Sequence, residues 1–518
     1  MVATLGTWTY SFTWNTVGVA LPHMKGTFSA TNDQVSWVMI SFVVGSAIMT
    51  ASIGWLSGKF GRRQLFLFST AGFCVSLVGC ATATTLEAEV FWRFIQGVSG
   101  APLIAVGQII AVSAFPPEKY SMATSFWALG FVTGNVVAPT IGGYIIDHHG
   151  WPWIYYVNIP LCLLVIIAGL AVIPRTPKSE ERLDWFGFIT LIVGVAVLQF
   201  MLARGERLDW FESSEIIICT LVSVLLLYLF TIHTITGQRT FFDRQLFLNY
   251  NFVLGQLYIF VIGAAIYMPL LLLPLMLQQI SNYPSQEIGN LLLARGVGSV
   301  IGLIFMSKMR EKLDPRPIMI VGLICNIIPS WEMAHWSSDI AAREIIWTNF
   351  LAGIGAGLVW APLNKMVLSK LKGKLQDQGF AMFYLNFDLG YAVGTSIIIG
   401  MHARHTQANY SVISSGLTPF NQSLQYPDIQ QGWSLNHVET LLSLQAEVSR
   451  QATMIAYNNS FLICAWLMII LIPFCYMFKN TWLPETRPNV SGEKIHLDEP
   501  IQRKKRPGQK APDQTDVA

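Results

Sequence analysis

The sequence predicts an all-α membrane protein with fourteen spanning helices. Two observations carry that reading. Of 518 residues, 53% are hydrophobic and 12% charged, where a soluble domain carries roughly 25% charge. The apolar residues also gather into continuous runs, and a bilayer core about 30 Å thick takes roughly 20 such residues per helix. This composition excludes an ordinary soluble domain and a disordered chain. With 33 basic against 30 acidic residues, no global field draws in a nucleic acid.

The first six runs lie near 5–22, 34–57, 64–82, 88–113, 121–145 and 152–173. Two follow near 184–203 and 213–235, and six more near 250–277, 286–308, 315–334, 344–369, 378–402 and 456–478. They are too long and too evenly apolar to alternate, so they read as helices rather than barrel strands. The first run has no basic start, and its first Lys is Lys25. It reads as a retained span rather than a cleaved signal, and the start codon could lie upstream. Seven Cys fall in apolar runs with no CxxC pair, which points to buried hydrophobes and not to a disulfide framework or a metal site.

Lys and Arg fix the expected orientation. With a cytoplasmic N-terminus, 25 of them fall on the inner side, 6 on the outer side, and Arg93 and Arg295 remain inside spans. Both termini are therefore expected in the cytoplasm. The basic turn Gly54 to Arg63 after the second run is matched by Ser307 to Arg316 after the tenth, eight runs later. Two six-helix bundles, 1–173 and 250–478, with a pair of helices inserted in 174–249, account for that offset. A substrate site is expected between the bundles near the midplane.

The longest outer loop is expected over 403–455, opening polar and then turning helical, with Leu435, Val438, Leu441, Leu442 and Val448 at helical spacing. Such a helix would cap the outer mouth or dock a periplasmic partner. The tail 479–518 is polar and basic, and is expected to be disordered.

Ionisable groups inside spans are costly, so each is a functional candidate. Asp388 sits near the middle of the thirteenth run and could take and release a proton. Arg295 sits near mid-span in the tenth and could pair with Asp388, while Arg93 lies in the fourth. Moving one charge across 100 mV yields about 2.3 kcal/mol, so one carboxylate could drive useful pumping. Polar and aromatic residues in spans are pocket candidates: Gln96, Asn135, Gln256, Trp360, Asn364, Tyr384 and Asn386.

Two glycine motifs complete the set. In the first, Gly54 and Gly61 permit tight turning and Arg62 and Arg63 anchor the loop. In the second, Gly130, Gly134, Pro139, Gly142 and Gly143 place small residues four apart in the fifth run, with a proline that breaks one backbone bond.

These residues resemble the major facilitator superfamily, in its fourteen-span drug:proton antiporter branch of EmrB/QacA type. The resemblance runs from Val19–Pro22 through Gly142–Asp147, Trp151–Pro160 and Leu208–Phe211 to the last span. It implies the major facilitator fold, no cofactor, and proton-coupled efflux of hydrophobic or amphipathic compounds across a bacterial inner membrane. Similarity to EmrB-like exporters further implies a periplasmic adaptor and an outer-membrane channel. It gives Arg93 a part in proton transfer or in holding its half, and the second glycine motif a sealing and hinging role. Two departures stand out. Gly58 replaces a usual Asp of the inner loop, and Thr13 replaces a usual acid of the first span.

Two other readings compete: a dedicated metabolite or siderophore exporter of the same fold, and a receptor that has lost transport, which the missing first-span acid would suit. An enzyme is not expected. The chain has no P-loop and no His/Cys cluster of metal spacing, and His148 and His149 stand alone in an outer loop.

Overall fold

A computed structural model describes residues 1–116, 119–176, 183–237, 240–308, 314–371, 373–418 and 438–479, with 487–488 and 494–495. All fourteen expected runs are helical. The first six helices are α1 (Val2–Thr27), α2 (Asn32–Phe60), α3 (Arg62–Ala81), α4 (Leu86–Ser113), α5 (Tyr120–His149) and α6, in two pieces, Trp153–Tyr156 and Asn158–Val172. The inserted pair is α7 (Trp185–Arg204) and α8 (Ser214–Thr236). Then come α9, in two pieces (Tyr250–Ile266 and Met268–Ile280), α10 (Ser285–Lys308), α11 (Pro315–Met333), α12 (Ala342–Leu368), α13 (Lys374–Ser415) and α14 (Val438–Met477).

Among the described residues, twelve helices are long and apolar enough to cross a membrane, and α1 and α11 are not among them. In α1 the reason is visible: Thr7, Thr9, Thr13 and Thr16 are buried in the bundle. Each hydroxyl donates to the carbonyl four residues back, at 2.7–3.0 Å. A polar residue whose donor is satisfied within its own turn is compatible with a buried helix.

The packing repeats with the expected offset of eight. α1 packs on α5, α2 on α4 and α3 on α4; equivalently, α9 packs on α13, α10 on α12 and α11 on α12. The two bundles meet along two seams, α2 with α13 and α5 with α10. The inserted helix α7 lies against both α2 and α13, so it covers one seam. The helix ends carrying Arg62, Arg63 and Asp377, and Phe241 in the segment after α8, lie at one end of the bundles, called here the basic face.

The outer loop corrects the expectation. Helix continues past 402 to Ser415 and resumes at Val438, so much of 403–455 is helix. Hydropathy reports where lipid ends, whereas helix ends need a breaker, and none appears before Gly416. The expected apolar stripe is also displaced. Leu444, Val448 and Ala452 are buried, whereas Leu441 and Leu442 are exposed. Leu435, the Val438 side chain and nearly all of the tail lie outside the described residues. In the tail, Arg487–Pro488 and Lys494–Ile495 pair antiparallel.

Candidate functional site

Between the bundles lies a cavity of about 400 Å³, walled by α1, α2, α4, α5, α7, α9, α12 and α13. That volume suits a drug-sized molecule. Ten of its lining side chains are aromatic. From the first bundle come Tyr10, Trp14 and Trp127, and from the second Trp360, Tyr384 and Tyr391. Asp388 lines it, as do Asn135 and Asn15, whose amides bond each other at 2.7 Å.

Asp388 forms no ion pair and no hydrogen bond among the described residues. The expected pair with Arg295 is therefore not formed. Arg295 is buried and donates through Nη2 to the Ile266 carbonyl at 2.8 Å. Ile266 ends the first piece of α9, just before Tyr267, with Pro269 shortly beyond. A cation at a broken helix C-terminus satisfies a carbonyl that has lost its own donor. Arg295 thus holds the break that sets Tyr267 and Leu270 into the wall. Arg93 is likewise buried and outside the lining. It donates to the Val38 carbonyl at 3.2 Å and to Gln96, with its guanidinium 4.3 Å from the Phe42 ring centre. Phe42 lines the cavity, so Arg93 stands one ring behind it.

Toward the basic face the cavity is closed by two polar layers. In the first, Gln108 of α4 donates to Asn364 of α12 at 3.0 Å and accepts from the Tyr384 hydroxyl of α13. In the second, Arg62 pairs with Asp377 at 2.7 Å, and the Ser57 hydroxyl donates to Asp377 at 2.9 Å. Gln378 extends this layer by donating to the Phe241 carbonyl at 3.1 Å and accepting from the Asp243 amide at 3.0 Å. Gly54 lies directly against Gln378, and Gly61 takes a positive φ of 84° to start α3. Arg63 turns away and donates to the Leu170 carbonyl.

The glycines of α5 face α1. An added Cβ at Gly130 would lie 2.3 Å from the Thr4 carbonyl oxygen, at Gly134 2.8 Å from that of Trp8, and at Gly142 2.3 Å from Thr16. Gly143 has open space instead. The α5–α10 seam itself is made by Val136 and Thr140 against Gly296 and Gly289. Pro139 sits inside a continuous α5.

Residues 3–395 match the Major Facilitator Superfamily. The chain belongs to that superfamily. Its relatives include the multidrug export protein EmrB of Escherichia coli K12, 27% identical over 89% of this chain and 91% of that protein. The fatty acid resistance protein FarB of Neisseria gonorrhoeae is 28% identical over 89% of this chain and 92% of that one. Two solved structures share the fold. The human organic anion transporter TETRAN has a TM-score of 0.57 at 15% identity, over 90% of this chain and 98% of that one. The proton:xylose symporter XylE has a TM-score of 0.56 at 14% identity, over 92% and 98%.

In this facilitator the pocket expectation divides. Asn135, Trp360 and Tyr384 line the cavity, whereas Gln96, Gln256, Asn364 and Asn386 do not. The last four bond other spans or their own: Gln96 accepts from Arg93, Asn386 donates to Gln256 at 2.7 Å, and Asn364 accepts from Gln108. An amide in a span is often used to join helices. Thr13 is turned into the bundle, and Asn15 reaches the cavity instead.

Three acids of the facilitator escaped the sequence reading. Asp377 stands among four lysines, and a lone acid in a basic loop was the available signal. Glu89 is fully buried one turn before Arg93 and accepts from the Tyr155 hydroxyl at 2.6 Å. Glu206 lines the cavity from the turn after α7, and no spacing rule places that turn over the site.

Proposed function

We propose that this protein is a proton-coupled multidrug efflux transporter for hydrophobic and amphipathic compounds. The observation that carries the reading is Asp388, an unpaired acid in an aromatic cavity shared by two bundles. An intramembrane acid without a partner is suited to exchange protons. The cavity's two-layer closure at one face fits alternating access, with the bundles 1–173 and 250–478 rocking about the site. The names of relatives such as EmrB support export of more than one compound.

The positive-inside bias assigns the basic face and both termini to the cytoplasm of a bacterial inner membrane. On that assignment the structure is closed inward. α13 has 42 residues and α14 has 40, about 63 and 60 Å at the helical rise, against a bilayer core of about 30 Å. Their outer ends supply a projecting platform on which a periplasmic adaptor leading to an outer-membrane channel could seat.

The test is dye accumulation in everted vesicles with an acid interior. The expected result is uptake that a protonophore abolishes. Uptake indifferent to the pH gradient would overturn the coupling, and no uptake of any compound would favour a receptor. The aromatic wall weighs against a highly polar siderophore, and a susceptibility panel in a strain without its own pumps separates a dedicated exporter from a broad one.

A further inference from the structure

The charged residues of the cavity have one sign. Asp388 and Glu206 line it, and no Lys, Arg or His does among the described residues. Neither acid is neutralised by a cation there. Glu206 comes from the short turn Gly205–Leu208 that ends the inserted helix. Its Oε2 accepts from the Trp210 indole at 2.8 Å, and it rests against Gly400 of α13, where a Cβ would lie 2.4 Å from that oxygen. The carboxylate is therefore held in place. α7 is itself fastened to α13, because the Ser396 hydroxyl donates to the Leu202 carbonyl at 2.8 Å.

The rest of the wall suits a cation as well. Ring faces attract a positive charge, most strongly where water is excluded. A fatty acid anion would instead meet two carboxylates and no base.

We propose that this cavity selects cationic aromatic amphiphiles, and that Glu206 of the inserted pair is the charge-selecting residue beside Asp388. The inference rests on the efflux reading and narrows its substrate class. It also gives the inserted pair a role, since the pair brings to the site a carboxylate that neither six-helix bundle supplies. A monovalent cation leaving as one proton enters moves no net charge, so such an exchange follows the pH gradient rather than the voltage.

The experiment titrates the purified transporter with tetraphenylphosphonium and tetraphenylborate, ions of one shape and opposite sign. Quenching of the wall tryptophans reports binding, and neutral triphenylphosphine oxide serves as control. Tetraphenylphosphonium is expected to bind at least about tenfold more tightly than tetraphenylborate, a difference of about 1.4 kcal/mol. Glu206→Gln should weaken the phosphonium several-fold and leave the neutral oxide unchanged, while Glu206→Asp retains the preference. Equal or tighter borate binding, binding of neither ion, or a Glu206→Gln variant with unaltered phosphonium affinity would overturn the proposal. Proteoliposomes separate the two readings. If a pH gradient still drives the neutral oxide, the exporter stands and the cation preference falls. If it drives none of the three, the exporter reading falls.

Discussion

Arg62 Nη2 stands 2.7 Å from Asp377 Oδ1, and its Nε donates to the same oxygen at 2.9 Å. This pair ties the turn after α2 to the first turn of α13 and so joins the two bundles at the basic face. The chain lacks an acid at Gly58, and the acid that meets the motif arginine comes from the opposite bundle. Both side chains are largely buried, at 16% and 9% exposure, so removing one partner leaves the other charge poorly compensated. Asp377→Ala should shift the transporter toward opening at the basic face, read as faster labelling of a cysteine placed at Gln108. The swap of Arg62→Asp with Asp377→Arg should restore slow labelling. Equal labelling in all three would show that the pair is not a latch.

Asp388→Asn removes the unpaired acid while keeping its shape. Gradient-driven efflux in vesicles should vanish, with membrane abundance near that of the parent. Binding of a neutral amphiphile should survive, because the aromatic wall is intact. Unchanged efflux would remove Asp388 from the coupling.

The glycines of α5 should sort by what lies opposite them. Gly130→Val and Gly142→Val drive side chains into α1 and should cost about 1–3 kcal/mol as overpacking, seen as lower abundance and melting temperature. Gly143→Ala meets open space and should be neutral in both measurements. Parallel losses at all three positions would contradict this packing.

Leu441 and Leu442 are 45% and 58% exposed on the part of α14 far from the basic face. Changing both to Ser should spare transport in vesicles, since neither supports the core. If an adaptor seats there, resistance in whole cells should fall all the same. Full resistance would place the docking surface elsewhere.

The architecture was largely legible from the sequence because a span is a property of one local run. Fourteen runs became fourteen helices, and the basic turns at Arg62 and Arg316 marked a repeat that recurs in the helix packing. Side-chain direction was less legible. Asn386 and Tyr384 are two residues apart on α13, yet one bonds Gln256 and the other faces the cavity. Arg295 looked like a partner for Asp388 because both sit at mid-depth, but depth does not fix azimuth. The break at Tyr267 gave Arg295 a carbonyl to hold, and Pro269 was its only trace in the sequence. Glu206 was missed for a topological reason: its turn reaches the site only because α7 folds over the α2–α13 seam.

That placement of α7 has a consequence for how oily molecules arrive. A two-bundle transporter has two lateral clefts through which a solute dissolved in the bilayer could slip inward. Here one seam is covered by α7, while the other, α5 against α10, is closed by its own packing of Val136 and Thr140 against Gly296 and Gly289. Bulky residues introduced along Val136 and Thr140 should therefore slow membrane-borne cargo more than matched changes along α2, giving the molecule a front and a back within the plane of the membrane.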